Sequence, residues 1–186
     1  MKKLKVITST TREGRRGIIV AQWITEFAKK HSDFDIELLD LKQINLPLMN
    51  EPNHPRLQKY IHQHTKNWSA KIDEADAFII TLAEYNYSMP APIKNAIDYL
   101  FVEWKNKPLG IVSYGGISGG LRSSQMLKQV VTTMNMMPLT QQVILNSFEK
   151  LIDENDDLIP TEAIEKSAIS MLNELEKWAE IMKALR

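Results

Sequence analysis

Short apolar runs alternate with longer amphipathic stretches along this chain, a pattern with few solutions other than a parallel sheet covered by helices. The clearest run is Ala75 to Leu82, ADAFIITL, which is nearly all apolar, as strands buried on both faces are. Further strands are predicted over Leu4–Thr8, Phe34–Leu41, Pro108–Ser113 and Leu139–Leu145. A helix is predicted over Gly17–His31, where Ile18, Ala21, Trp23, Ile24, Phe27 and Ala28 make an apolar face. A more polar one over Leu57–Glu74 carries Tyr60, Ile61, His64 and Trp68. Pro92–Trp104 aligns Ile93, Ile97, Leu100, Phe101 and Trp104 on one stripe, and Leu121–Met136 follows. The last helix, Pro160–Leu185, turns Ile164, Ala168, Met171, Leu175, Trp178 and Met182 inward. Pro47, Pro52 and Pro55 make Asn45–Pro55 a loop, and the acidic run Asp153–Asp157 reads as a solvated turn. Strand followed by helix, five times over, predicts an α/β fold: a five-stranded doubly wound parallel sheet with helices on both faces.

The 186 residues suit one domain spanning positions 1–186. Lysine plus arginine is 23 and aspartate plus glutamate is 23. Zero net charge argues against a nucleic-acid partner held by bulk positive charge and against a strongly acidic electron carrier. The absence of cysteine excludes disulfides, thiolate metal sites and cysteine nucleophiles. His62 and His64 are spaced i, i+2, so on a helix they would face apart, and no metal site is expected. No apolar run approaches the ~20 residues that span a bilayer, and no signal peptide is recognised, so the expectation is a cytoplasmic protein without a membrane partner.

In open parallel sheets, ligands bind beyond the carboxyl ends of the strands. Six of the seven glycines lie in two such loops: Gly14 and Gly17 after the first strand, and Gly115, Gly116, Gly119 and Gly120 after the fourth. The first loop, Ser9–Gly17, reads STTREGRRG and opens directly onto a helix. Hydroxyls, guanidinium groups and helix-start amides together make an anion site. It is neither a P-loop nor a GxGxxG loop, so a monophosphate fits better than a pyrophosphate. After the third strand, Glu84, Tyr85, Asn86, Tyr87 and Ser88 precede Pro90 and Pro92, and a planar ring can lie against them. The third loop, SYGGISGGLR from Ser113 to Arg122, can pack backbone against the other end of a flat ligand.

These three loops, with Lys94-Asn95-Ala96-Ile97-Asp98 after the second, resemble the NADPH-dependent FMN reductase family over roughly residues 3 to 145. Where that family commonly reads Gly-Ser-Thr-Arg, this chain has Ser9, Thr10, Thr11 and Arg12, and Ala83 stands where a proline is frequent. The resemblance implies a flavodoxin-like fold with strand order 2-1-3-4-5. It implies that Thr10, Arg12, Gly17 and Ile18 hold the FMN phosphate, with Ser9 among the cofactor-binding residues of the same loop. Glu84, Tyr85, Asn86 and Tyr87 would line the isoalloxazine and ribityl chain, and Ser113, Tyr114, Gly115 and Gly116 the ring's other edge. The implied activity is an FMN-dependent NAD(P)H oxidoreductase, with NADPH or NADH as co-substrate. Electrons would pass by ping-pong hydride transfer to a flavin, quinone, azo compound or oxygen. The flavin N5 would carry the chemistry, so no catalytic side chain is expected. Arg15 or Arg16 is a candidate for the nicotinamide-nucleotide phosphate, and Tyr87 for control of access to the flavin. A homodimer or tetramer is expected, both from the resemblance and because Tyr99, Phe101, Val102 and Trp104 widen the apolar surface of their helix. The alternatives are a flavodoxin-type electron carrier and an FMN-binding redox-regulatory module.

Overall fold

A computed structural model describes residues 1–186. The elements run β1 (Lys3–Thr8), α1 (Gly17–His31), β2 (Asp35–Leu39), α2 (Leu41–Ile44), α3 (Gln63–Asp73), β3 (Ala77–Ala83), α4 (Ala91–Asp98), β4 (Pro108–Tyr114), α5 (Leu121–Thr132), β5 (Met137–Pro138), β6 (Val143–Leu145) and α6 (Glu162–Lys183). Every strand pairing is parallel, in the order β2-β1-β3-β4-β5, with β6 also on β4. This is the expected flavodoxin-like arrangement.

The two faces follow from strand alternation. Leu4, Val6, Ile79 and Val112 point to a core closed by α1 and α6, through Val20, Ile24, Met171, Leu172 and Leu175. Ile7, Phe78, Ile80, Leu82 and Ile111 point the other way, onto Trp68 and Ile72 of α3, Ile93 and Ile97 of α4, and Leu127 and Val131 of α5. All of β3 is buried, which accounts for its unbroken apolar sequence. Each fully buried isoleucine there contributes about 1.5–3 kcal/mol. The indoles of Trp68 and Trp104 are wholly buried and keep a partner each, donating to the carbonyls of Ala96 (2.8 Å) and Ile97 (3.2 Å).

Several elements depart from the sequence reading. The predicted fifth strand is two pieces: Met137–Pro138 pairs with Pro108–Leu109, and Val143–Leu145 with Val112–Tyr114. The extra residues between them bulge from the sheet edge, where no further strand constrains them. Helix α3 begins at Gln63 instead of Leu57. Gln58 adopts φ +52, and the Glu51 carboxylate accepts the N–H groups of Ile61 (2.9 Å) and His62 (3.0 Å), so that segment is a braced loop. His62 therefore stands at the extended start of α3 (φ −84, ψ 139). Its ring stacks on His64 with centroids 5.1 Å apart, so the two share a side and do not face apart. Helix α5 stops at Thr132, short of the predicted Met136.

The helix predicted to Trp104 ends at Asp98 and passes into a 3₁₀ turn over Val102–Trp104. Buried Glu103 organises that turn by accepting from Tyr60 Oη (2.8 Å), Ser69 Oγ (2.7 Å) and Phe101 N (3.3 Å). Tyr99 and Trp104 lie wholly inside this chain's own core, and Phe101 is half-buried beneath the Arg56 guanidinium at 4.3 Å. Only Val102 of the four is exposed, so they do not supply the free apolar surface on which a second subunit was expected. No helix is long and apolar enough to cross a membrane.

Candidate functional site

The carboxyl ends of β1, β3 and β4 bring the three loops together. A cavity of 110 Å³ lies between them, lined by Thr10, Arg12, Arg15, Arg16, Gly17, Ala83, Glu84, Tyr85, Tyr114, Gly115, Phe148 and Glu149. Thr10, Arg12, Gly17, Glu84, Tyr85, Tyr114 and Gly115 were expected there. Ser9, Ile18, Asn86, Tyr87, Ser113 and Gly116 lie outside its lining.

Helix α1 starts at Gly17 with no side chain capping its first turn. Exposed amides at a helix start favour an anion. Beside that start, Thr10 Oγ1 and Tyr114 Oη are buried without any hydrogen-bond partner. A Cβ at Gly17 would sit 2.0 Å from Tyr114 Oη and 2.7 Å from Thr10 Oγ1. Both unpaired hydroxyls thus converge on Gly17, a position with no room for a side chain. An unsatisfied buried hydroxyl costs about 1–3 kcal/mol, so two of them beside an uncapped helix suit an acceptor-rich ligand. Burial pushes the Tyr114 hydroxyl up to about 12, so it stays protonated and can donate. Tyr114, expected at the ring edge, has its hydroxyl at the helix-start end.

Ser9 serves differently: its Oγ accepts the N–H of Ala83 at 3.1 Å and ties the end of β3 to the first loop. Ser113 is fully buried beneath the tight turn at Gly119 and Gly120, where a Cβ on Gly120 (φ +79) would meet Ser113 Cβ at 3.1 Å. Gly116 faces open space.

The three arginines of the first loop part company. Arg15 donates through both terminal nitrogens to Asp40 (2.6 and 2.5 Å) and to the Thr10 carbonyl (2.7 Å). Burial alone would raise the Asp40 carboxyl, but the hydrogen bonds from Arg15, Lys42 N and Thr8 outweigh it and hold it low. Arg15 is therefore a brace under the loop and is not free for a nucleotide phosphate. Arg16 pairs with Asp156 at 2.8 Å, an exposed contact that draws the acidic turn toward the first loop. Arg12 is exposed, makes no ion pair, and donates to Tyr85 Oη and the Glu13 carbonyl, both at 3.3 Å.

In the second loop, Tyr85 and Ser88 exchange both backbone hydrogen bonds (2.9 and 3.0 Å) around Asn86 (φ +49) and Tyr87 (φ +68). This is a tight turn of type I′ hand. Asparagine tolerates the left-handed region, whereas tyrosine there costs about 1–2 kcal/mol. The Glu84 side chain turns away from this loop to the third one. It accepts from Arg122 Nε (2.6 Å), Ser118 Oγ (3.0 Å) and Arg122 N (3.2 Å). Burial would raise the Glu84 carboxyl, but these hydrogen bonds hold it below its ordinary value. The Arg122 guanidinium carbon lies 3.8 Å from the centre of the Tyr87 ring.

Three residues escaped sequence reasoning: Arg122, Phe148 and Glu149, the last a carboxylate on the cavity wall. Arg122 closes the glycine-rich loop, and nothing local in the sequence marked it, since its carboxylate partner Glu84 is 38 positions away. Phe148 follows β6, beyond the stretch that carried the resemblance. Its ring meets Tyr114 edge-on with centroids 5.0 Å apart, and its N–H donates to the Gly115 carbonyl (3.2 Å).

The description of the matching family model is NADPH-dependent FMN reductase, and it covers residues 2–150. An NAD(P)H-dependent FMN reductase of Schizosaccharomyces pombe is 41% identical over 136 residues, covering 72% of this chain and 68% of that protein. An NADPH:quinone oxidoreductase of Arabidopsis thaliana is 32% identical over 118 residues, covering 61% of this chain and 57% of that protein. Among solved structures, the flavoenzyme NAD(P)H:(acceptor) oxidoreductase FerB of Paracoccus denitrificans superposes with a TM-score of 0.77 at 19% identity, covering 98% of this chain and 99% of that one. The chain belongs to the NADPH-dependent FMN reductase family.

Proposed function

We propose that this member of the NADPH-dependent FMN reductase family binds FMN between its three loops and uses NADPH or NADH to reduce a small planar acceptor, of which a quinone is the leading candidate. The observation that carries the reading is the pair of buried, unpartnered hydroxyls of Thr10 and Tyr114 at the uncapped start of α1. They fit the donor-hungry oxygens of a phosphate monoester, with the Gly17 and Ile18 amides beneath and the Arg12 guanidinium at the mouth. When bound, FMN supplies reversible two-electron chemistry between the nicotinamide and the acceptor.

The chain's own part is binding and orientation. The Tyr85–Ser88 turn is held rigid by two backbone hydrogen bonds, so its outer edge is a preorganised surface for a flat ring. The Tyr114–Gly116 backbone offers the opposing edge, with Gly116 uncovered. Ser9, Arg15 and Asp40 keep the first loop in register with β1 and β3. No side chain need act as acid or base.

Support for a quinone acceptor comes from the quinone oxidoreductases among the relatives. A homodimer or tetramer remains part of the proposal on the family resemblance. A sedimenting species at the 21.4 kDa chain mass at micromolar concentration would refute that part. The flavin reading is tested by calorimetric titration of the flavin-free protein with FMN and with riboflavin. One FMN per chain and far weaker riboflavin binding are expected; equal affinities would overturn the phosphate site.

A further inference from the structure

We propose that Arg122 is a positioning residue of the acceptor site: it fixes the Tyr87 ring as a wall on which a planar quinone stacks. This rests on the flavin reading above, which by itself requires nothing of Arg122. Tyr87 holds φ +68 at the second central position of its turn, where glycine is ordinarily favoured. Backbone strain of this kind persists only where the surroundings hold it. The Arg122 guanidinium supplies that hold, lying 3.8 Å from the Tyr87 ring centre.

The guanidinium is itself fixed. Its Nε donates to Glu84 Oε1 at 2.6 Å and its Nη2 to Ser118 Oγ at 3.2 Å. The Glu84 side chain is only 8% exposed. A buried carboxylate thus sets the plane of the guanidinium, and that plane sets the ring. Tyr87 nevertheless stays 68% exposed, which leaves its other face free for a flat molecule. Leu121, the residue before Arg122 at the start of α5, and Ile117 in the preceding loop are exposed apolar side chains, which suit an uncharged ring rather than an anion. A lysine at position 122 would keep the charge opposite Glu84 but has no plane to lay against the phenol.

The test uses the FMN-loaded protein with NADPH and 1,4-benzoquinone, comparing wild type, Arg122→Lys, Tyr87→Gly and the double variant. Each single variant is expected to raise the benzoquinone KM about three- to tenfold. The change in kcat should stay below about twofold. The double variant should be no worse than Tyr87→Gly alone, because the two residues act as one unit. Two further readouts need no turnover. FMN affinity, followed by quenching of flavin fluorescence, should fall by less than KM rises in every variant, because the turn meets the ring through its backbone and the phosphate end at Gly17 is untouched. Tyr87→Gly should melt no lower than wild type, since glycine relieves the strained position while KM rises. Additive KM effects, an unchanged KM in Arg122→Lys, or FMN affinity falling in step with KM would each overturn the proposal. If Arg122→Lys does not fold, Tyr87→Gly decides alone, and an unchanged KM there refutes it. A wild type that binds no FMN refutes the flavin reading instead. The latch is then read from hydrogen exchange of the ligand-free protein. The Ser88 amide, bonded to the Tyr85 carbonyl, exchanges faster in Arg122→Lys if Arg122 holds the turn and at the wild-type rate if it does not.

Discussion

Gly17→Ala should cost this protein most of its FMN affinity. The added methyl would sit 2.0 Å from Tyr114 Oη, 3.0 Å from Tyr114 Cζ and 2.7 Å from Thr10 Oγ1. It therefore fills the point on which both unpaired hydroxyls converge. Losing two hydrogen bonds to a charged group, each worth about 1.5–3 kcal/mol, predicts a loss of at least about 3 kcal/mol. That is roughly a hundredfold in Kd. The ligand-free fold suffers less. Overpacking a buried site costs about 1–3 kcal/mol, while alanine in place of glycine in a helix returns about 1 kcal/mol. The net change of up to about 2 kcal/mol lowers Tm by roughly 4–8 °C in a chain of this size. Adding Tyr114→Phe removes the closest clash, so the double variant should recover Tm while FMN affinity stays low. Fluorescence titration with FMN and thermal melting of the flavin-free protein measure the two quantities separately. A Gly17→Ala protein that binds FMN as tightly as wild type would refute the assignment of the phosphate to this helix start.

Arg12→Ala should weaken FMN binding by about 1.5–3 kcal/mol and leave riboflavin affinity nearly unchanged, as calorimetry with both flavins would reveal. Asp40→Asn should destabilise the fold by about 3–5 kcal/mol in denaturant unfolding, because it strands the Arg15 guanidinium with a neutral partner. A loss below about 1 kcal/mol would mean that Arg15 is not the brace under the first loop. Lys107 should make stability rise with pH. Burial lowers its folded pKa to about 8 from 10.5, so the unfolded chain binds more protons between those values, and the penalty is fully present below pH 8. The difference in unfolding free energy between wild type and Lys107→Met should shift in favour of wild type from pH 8 to pH 10.5, whereas the wild-type curve itself is turned back above about pH 9.5 by buried Tyr60 and Tyr114, whose hydroxyls are raised in the folded state.

Two kinds of information about this chain were carried in different places. The order of strands and helices, the two-faced core and the location of the loops were legible along the sequence. Burial demands periodic apolar residues, and β3 or α1 displays that period without help from distant parts of the chain. The first loop was legible for the same reason, since hydroxyls, arginines and glycine at a strand-to-helix junction are a local signature. What lay beyond reach were the contacts between segments far apart in sequence. Three arginines in one loop look alike on paper, yet Arg15 is claimed by Asp40 from β2's end, Arg16 by Asp156, and Arg12 by neither. Tyr114 was assigned to a ring edge because its neighbours suggested one, but β4 lies close enough to β1's loop to carry its hydroxyl to Gly17. Tyr99 and Trp104 seemed available for a partner until the chain's own α3 and the loop around Pro47 covered them. Glu84 and Arg122 are 38 positions apart, and no spacing rule joins them. Such pairings cost loop-closure entropy that only the assembled sheet repays, so the tertiary structure alone decides them.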